Sequence, residues 1–300
     1  MESPENKSIS LAIMEVIVFF DIFDFPLTAW EIWKYLAIKC DLADVQEVLA
    51  DEDFKRKIGN KNGTYFLPGR EQIYETRMKR YNYANAKFKK ALRMAKLYRI
   101  FPWVKMIAVV NMFGAHNLKQ EGDIDLFIVA KRNRIWLTRF CCTGLAAILR
   151  LRPTPQNVRD KFCLSFFISE TNLNLQNLLL PSDTHFGYWL ANFIPIYNVD
   201  NTWSDFMAAN SWLNERLPNW QPTNDRRLIV GKGLVLFEYI FGWLETAVKN
   251  WQINHLPARI KAMANQDTRV VINDNILKFH VNDRREEYNN NYESRITNYV

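Results

Sequence analysis

Two aspartates separated by one residue, Asp123 and Asp125, precede an apolar run from Leu126 to Val129. Residues i and i+2 of an extended strand project from the same face, so both carboxylates are expected to enter one site. Carboxylates a few ångströms apart repel each other unless a cation lies between them, and oxygen ligands suit Mg²⁺. The spacing therefore predicts a Mg²⁺ site held by Asp123 and Asp125. The alternative is a solvated turn in which two acids begin a strand.

The segments around this pair predict the sheet that positions it. The apolar run Lys105–Asn111 and the run Leu126–Ala130 are expected to be strands, joined by a polar connection over residues 113–122. A helix is predicted over residues 134–151 and a third apolar strand over residues 162–168. Strands interleaved with helices indicate an α+β fold with a small mixed β-sheet.

The first 70 residues predict a helical unit of their own. An apolar helix over residues 9–23 is followed by a second helix, which begins at a capping box formed by Thr28 and Glu31. A third helix and a hairpin with Asn62-Gly63 as its turn come next. Three short helices and a hairpin outline a winged helix, a DNA-binding arrangement. Because the third helix is acidic, both a DNA-binding module and a packing or protein-interaction module stay open.

Residues 70–100 are predicted to form one long helix rich in lysine and arginine, in a chain with a formal net charge of +7. Its basic face is either a solvated surface or an anion-binding surface. The remainder of the chain is expected to be mostly helical, over residues 173–180, 185–216 and 228–264, with a short hairpin within 268–281 and a polar tail that frays unless it docks.

The strand, polar loop and second strand beginning Gly122-Asp123-Ile124-Asp125-Leu126 resemble the nucleotidyltransferase fold of the DNA polymerase beta superfamily, over about residues 100–170. The stretch Phe20-Asp21-Ile22-Phe23-Asp24-Phe25-Pro26-Leu27-Thr28 is similar to uncharacterised bacterial proteins that carry a winged helix ahead of such a domain. The resemblance implies four parts: a winged-helix-like domain over 1–70, a basic connecting helix over 71–102, a nucleotidyltransferase-like domain over 103–172 and a helical C-terminal region over 173–300.

The resemblance also implies the chemistry of the site. Active members bind a nucleoside triphosphate at a Gly-Ser pair and hold Mg²⁺ with two aspartates and a third acid on a neighbouring strand. Here Asn111-Met112 stands in place of Gly-Ser, Gly114-Ala115 lies three residues later, and Ser165 lies at the centre of the third strand. Asp123 and Asp125 are thereby assigned to metal binding and catalysis. Nucleotide binding is assigned to the loop and the basic segment after the second strand: Asn111, Met112, Gly114, Asn117 and Lys131, with Arg134 as an alternative to Lys131.

Three functions stay open from the sequence. The first is Mg²⁺-dependent transfer of a nucleotidyl group from a nucleoside triphosphate to an acceptor, which is a small molecule, a nucleic acid or a protein. The second is a catalytically inactive member of the fold that binds or regulates a partner. The third is a DNA-binding regulator whose middle domain senses a nucleotide.

The composition limits the class of protein. A hydrophobic content of 48% excludes a disordered chain. Cysteines without metal-ligand spacing, including the adjacent Cys141-Cys142, predict packing residues in a reducing cytoplasm. The longest apolar runs are shorter than the ~20 residues that span a bilayer, so no membrane association is expected. The loop residue His116 is expected to be exposed, whereas the remaining histidines are interpreted as structural: His185, His255 and His280.

Overall fold

The computed structural model describes residues 4–110, 117–222, 229–230 and 242–299. The helices of this part of the chain, numbered in order, are α1 (Pro4–Asp21), α2 (Ala29–Tyr35), α3 (Leu42–Ala50), α4 (Glu52–Lys55), α5 (Gln72–Tyr98), α6 (Ile135–Ile148), α7 (Thr184–Ala191), α8 (Thr202–Ala209), α9 (Trp212–Arg216), α10 (Glu245–Asn254), α11 (Ala258–Met263) and α12 (Arg285–Ile296). The strands are β1 (Leu27–Thr28), β2 (Gly59–Lys61), β3 (Thr64–Phe66), β4 (Val104–Val109), β5 (Ile124–Ala130), β6 (Phe162–Ser169), β7 (Ile194–Asn198), β8 (Ile229–Val230), β9 (Val270–Ile272) and β10 (Ile276–Phe279).

The N-terminal elements are α1 to α4 and a three-stranded antiparallel sheet of order β1-β3-β2. Helix α2 begins at the capping box that its sequence predicts, because the Thr28 side chain accepts from the Glu31 N–H and Glu31 accepts from the Thr28 N–H. The turn between β2 and β3 has positive φ angles at Asn62 (52°) and Gly63 (74°), as a tight hairpin requires. Local sequence therefore determines both of these boundaries.

A seven-stranded mixed sheet forms the centre of the molecule, in the order β8-β7-β4-β5-β6-β10-β9. The pairs β5–β6 and β7–β8 are parallel, and the other neighbouring pairs are antiparallel. The expected α+β class with a mixed sheet is confirmed. The sheet is larger than expected, because four strands from beyond residue 172 join it.

Helices pack on both faces of this sheet, and alternate side chains of β5 belong to two different hydrophobic cores. Phe127 and Val129 belong to a core that also contains side chains of α1 to α3 and α7 to α9. Ile124, Leu126 and Ile128 point the other way and pack with α5 and α6. A central strand buried on both faces is expected to be apolar throughout its length. The two acids at its N-terminal end are the exception.

Several predicted helices are corrected by the structure. The helix expected over 185–216 is interrupted by β7, which pairs with β4. Pro195 lies in β7 where the register with β4 shifts, a position at which a strand accepts proline and a helix interior does not. Residues 173–180 contain only a single 3₁₀ turn, Gln176–Leu178. The helix expected over 228–264 instead comprises strand β8 and helices α10 and α11, with residues 231–241 outside the described part.

The polar C-terminal tail docks as helix α12. Arg285, at the start of this helix, is buried and donates to the wholly buried Asp183 at 2.9 Å and to the Leu178 carbonyl oxygen at 2.8 Å. Near the other end, Arg295 donates to Asp21 of α1 at 2.8 Å. Ion pairs to two distant segments therefore hold a helix whose own sequence is largely polar.

Candidate functional site

The paired aspartates lie at the N-terminal end of β5, and both are partly buried. Asp123 immediately precedes the strand and Asp125 is its second residue, so the pleat directs both toward the face that also carries Phe127. One carboxylate oxygen of each aspartate and the thiol sulfur of Cys163 all lie within 4.8 Å of one another. The structure thus brings together the two acids that the sequence paired, and adds a cysteine.

Cys163 lies where the resemblance calls for a third acid on a neighbouring strand. It is directly opposite Asp125 in the parallel β5–β6 pair, and the register shifts just after this pair, so that Phe127 lies opposite Phe166. Because of this register shift, Cys163 rather than Leu164 lies opposite Asp125. The sequence signal was a cysteine one residue into the third strand, matching the position of the acids on the second.

The thiol of Cys163 begins a short hydrogen-bonded chain. Its sulfur donates to the Ser165 Oγ at 3.3 Å, and a 2.9 Å hydrogen bond joins that Oγ to the His280 Nε2. Burial and the neighbouring Asp125 carboxylate raise the pKa of Cys163 well above its ordinary value, and burial lowers the pKa of His280 to about 3. Both groups are therefore neutral at physiological pH. A neutral thiol is a poor ligand for a hard cation.

A buried lysine lies beside the acids. Lys87, on α5, is 2% exposed, donates to the Gly122 carbonyl oxygen at 2.5 Å, and pairs with Asp160 at 2.9 Å. Lys90 pairs with the second oxygen of Asp160 at 2.6 Å. Burial raises the pKa of Asp123, and the positive charge of Lys87 opposes this rise. Since Lys87 already has Asp160 as its partner, it balances the two site carboxylates only in part.

The other residues expected at the site lie in different places. Asn117 lies at the end of the β4–β5 connection, where its side chain accepts from Arg80 at 2.9 Å and donates to the Phe23 carbonyl oxygen at 3.2 Å. Lys131 lies past the opposite end of β5, about 20 Å along the strand from Asp125, so the structure does not bring it to the aspartates. Arg134 lies still further along the chain. Asn111, Met112, Gly114 and His116 fall outside the described residues.

A cavity of about 460 Å³ opens next to Asn117. Its walls include Arg80, Lys119 and Tyr288, so it combines positive charge with an aromatic surface. Asp24, which also lines it, pairs with Arg80 at 3.1 Å, and these two groups join the N-terminal elements to the β4–β5 connection. The cavity is therefore a pre-formed space with charged groups of both signs and an aromatic wall.

The predicted structural role of two histidines agrees with their surroundings. His185 is half-buried, stacks on Tyr288 with ring centroids 5.0 Å apart, and has its pKa lowered to about 4 by burial. His280 is held by Ser165, as described above. His255 is exposed and stacks on Trp251, so it lies at the surface. None of these three imidazoles is positioned as a general base beside the aspartates.

Comparison with known proteins gives no relative: no protein-family model, no curated protein and no solved structure matches this chain. In the described part of the chain, no helix has both the length and the apolar character that crossing a bilayer requires.

Proposed function

We propose that this protein has a nucleotidyltransferase-like domain that binds a divalent cation and a nucleoside triphosphate at Asp123 and Asp125 and transfers the nucleotidyl group to an acceptor. The convergence of the two carboxylates at the N-terminal end of β5 is the observation that carries the proposal. The antiparallel β4–β5 pair followed by the parallel β5–β6 pair supports the fold. The order α1, β1, α2, α3, β2, β3 with a β1-β3-β2 sheet supports the N-terminal winged helix.

The donor set fits Mg²⁺. This ion is commonly held by one or two carboxylates plus phosphate oxygens and water, at about 2.1 Å. One carboxylate oxygen of Asp123 and one of Asp125 lie within 4.8 Å of each other. When bound, Mg²⁺ supplies charge stabilisation at the attacking and leaving oxygens of a phosphoryl transfer. In this chain Asp123 and Asp125 hold the cation, and the cavity beside Asn117 receives the nucleotide. The cations Arg80 and Lys119 face its phosphates.

Cys163 favours a second candidate, a protein of this fold that binds nucleotide without turnover. In the position of a third acid, a neutral thiol neither ligates Mg²⁺ nor takes a proton from an acceptor hydroxyl. Asn111-Met112 in place of Gly-Ser is a second departure from active members. Binding of the cation and nucleotide is common to both candidates, and transfer separates them.

Thermal unfolding tests binding. Nucleoside triphosphates are expected to raise the melting temperature only when Mg²⁺ or Mn²⁺ is present, since a ligand of the folded state stabilises that state. Asp123→Asn and Asp125→Asn are expected to lose this shift, whereas Asp205→Asn, an exposed acid on α8, retains it. An equal shift in the site variants and the control contradicts the proposal. Transfer is then distinguished from binding alone by the release of pyrophosphate together with retention of an α-phosphate label on the acceptor.

A further inference from the structure

The outward face of helix α5 is a cationic surface. Lys89, Arg93 and Lys96 are exposed and recur at the spacing that aligns residues on one side of a helix. The segment 76–99 contains no aspartate or glutamate. A helix whose charges serve only solubility usually carries both signs in i,i+4 pairs, so this one-sided pattern indicates an anionic partner.

The inward cations of α5 have protein partners, whereas the outward ones have no ion-pair partner among the described residues. Arg77 pairs with Glu31 at 2.8 Å, and Lys87 and Lys90 share Asp160. Among the residues that the structure describes, none forms an ion pair with the outward cations: Lys89, Arg93 and Lys96. Their charges therefore remain available to a molecule outside the chain.

A cleft of about 390 Å³ continues this surface between α5 and the segment that precedes β6. Positive groups surround it: Lys90, Arg93, Arg159 and Lys161. Met94, Leu97 and Phe162 supply an apolar lining, and Leu97 is 43% exposed. The one acid in the cleft, Asp160, is already paired with two lysines, so it does not repel an anion strongly. A cationic rim around an apolar floor suits phosphates joined to flat heterocycles.

We infer that α5 and this cleft bind the phosphate backbone of a nucleic acid, with a nucleotide seated in the cleft. Charge complementarity selects a polyanion, and the apolar floor selects one that carries bases. The Asp160 N–H donates to the Gly122 carbonyl oxygen at 3.2 Å, and Gly122 precedes Asp123, so the cleft lies at the same end of the sheet as the aspartates. The inference that the protein binds nucleic acid depends on this surface alone. The statement that the bound strand is the acceptor rests on the proposed function.

Binding of fluorescently labelled oligonucleotides, measured by anisotropy without nucleotide or divalent cation, tests the inference on the full chain. Single-stranded RNA, single-stranded DNA and duplex DNA are compared, each over a series of salt concentrations. The test variant is Lys89→Gln/Arg93→Gln/Lys96→Gln. The matched control, Lys249→Gln/Arg259→Gln/Lys261→Gln, removes the same charge from α10 and α11, and circular dichroism checks that both fold.

The test variant is expected to bind a single strand roughly a hundredfold more weakly at 0.1 M salt, with the slope of log K against log salt reduced by about 2. The control is expected to match the parent chain. Equal binding by the two variants, or no oligonucleotide binding at low salt, overturns the inference. Binding to anionic lipid vesicles but not to oligonucleotides overturns it also. If oligonucleotides bind while nucleoside triphosphates give no metal-dependent rise in melting temperature, the inference about this surface is supported and the proposed function is contradicted.

Discussion

Replacing Asp123 by asparagine is predicted to stabilise the metal-free protein and to destroy its response to a divalent cation. Asparagine has nearly the same shape as aspartate but no charge, so the packing at the start of β5 is kept. The substitution removes the repulsion between two carboxylates whose nearest oxygens lie within 4.8 Å. It also removes the burial of an ionised group, which is the main reason that the pKa of Asp123 is raised.

The size of the effect follows from that distance. Two unit charges 4.8 Å apart repel by about 3 kcal/mol at an effective dielectric constant near 20, and by about 1 kcal/mol in bulk water. The free energy of unfolding without metal is therefore expected to rise by about 1–3 kcal/mol in Asp123→Asn. For a chain of this length, such a gain raises the melting temperature by about 2–6 °C. The attraction between Lys87 and Asp123, lost in the variant, reduces the gain.

The pH dependence of stability independently tests whether the Asp123 carboxylate destabilises the folded protein. A carboxyl group whose pKa is raised by folding binds its proton more tightly in the folded state, so ionisation of Asp123 lowers stability. The stability difference between Asp123→Asn and the parent chain is expected to be small below pH of about 4, where the carboxyl is protonated in both folded and unfolded chains. The difference grows as the pH rises through the raised pKa of Asp123, then stays constant.

Chemical denaturation with and without a chelator measures the gain in stability and its dependence on pH. Asp205→Asn is the control for removal of one negative charge. In excess Mg²⁺ the stability difference between Asp123→Asn and the parent chain is expected to shrink or change sign, because the ion stabilises only the parent chain. A metal-free Asp123→Asn that is less stable than the parent would refute the reasoning. The carboxylate would then be a structural hydrogen-bond acceptor, not half of a repelling pair.

Three further predictions follow from the surroundings of the site. Cys163→Asp places a third acid beside the pair, so it is expected to destabilise the protein when a chelator is present. The same variant is expected to show a larger stabilisation by Mg²⁺ in thermal unfolding, and a larger transfer of label from nucleotide if the protein transfers it. Lys87→Gln leaves Asp160 with only its half-exposed lysine partner, and urea unfolding is expected to register a loss of about 3 kcal/mol. Asp183→Asn removes the wholly buried one of the two carboxylate partners of Arg285 and leaves Asp283, so α12 is expected to gain protease sensitivity before the sheet unfolds, with a loss of about 2 kcal/mol. Unchanged unfolding curves would contradict the last two.

The elements that the sequence predicts well are those specified by neighbouring residues. The capping box of α2 and the Asn62-Gly63 turn depend on contacts within a few residues, and both are present. The three central strands are also present, because their runs of apolar residues predict them without knowledge of their partners. Strand β7 was missed because its residues, Ile-Pro-Ile-Tyr, lie within an aromatic segment and gain their strand geometry from pairing with β4, far away in the sequence. Helix α12 was underestimated for the same reason, since its anchors, Asp183 and Asp21, are on other elements.

The site shows a similar limit. Periodicity alone predicts that Asp123 and Asp125 face the same way, because a strand alternates every residue. It does not predict that Cys163 joins them, because that depends on the register of β6 against β5 and on the bulge that follows. Nor does sequence proximity identify functional neighbours. Lys131 is close in sequence yet about 20 Å along the strand from Asp125. Lys87 is on a different element, yet its positive charge opposes the rise in the pKa of Asp123.

The charges of the described residues around the pair bear on the proposed cation. Three carboxylates, those of Asp123, Asp125 and Asp160, lie near two ammonium groups, those of Lys87 and Lys90, and both ammonium groups contact Asp160. Among the described residues, the two lysines therefore offset the charges of Asp123 and Asp125 only in part, at a partly buried position. Burial makes such charge unfavourable unless a counter-ion offsets it. A divalent cation held by both aspartates, as the proposed function requires, would supply that counter-ion.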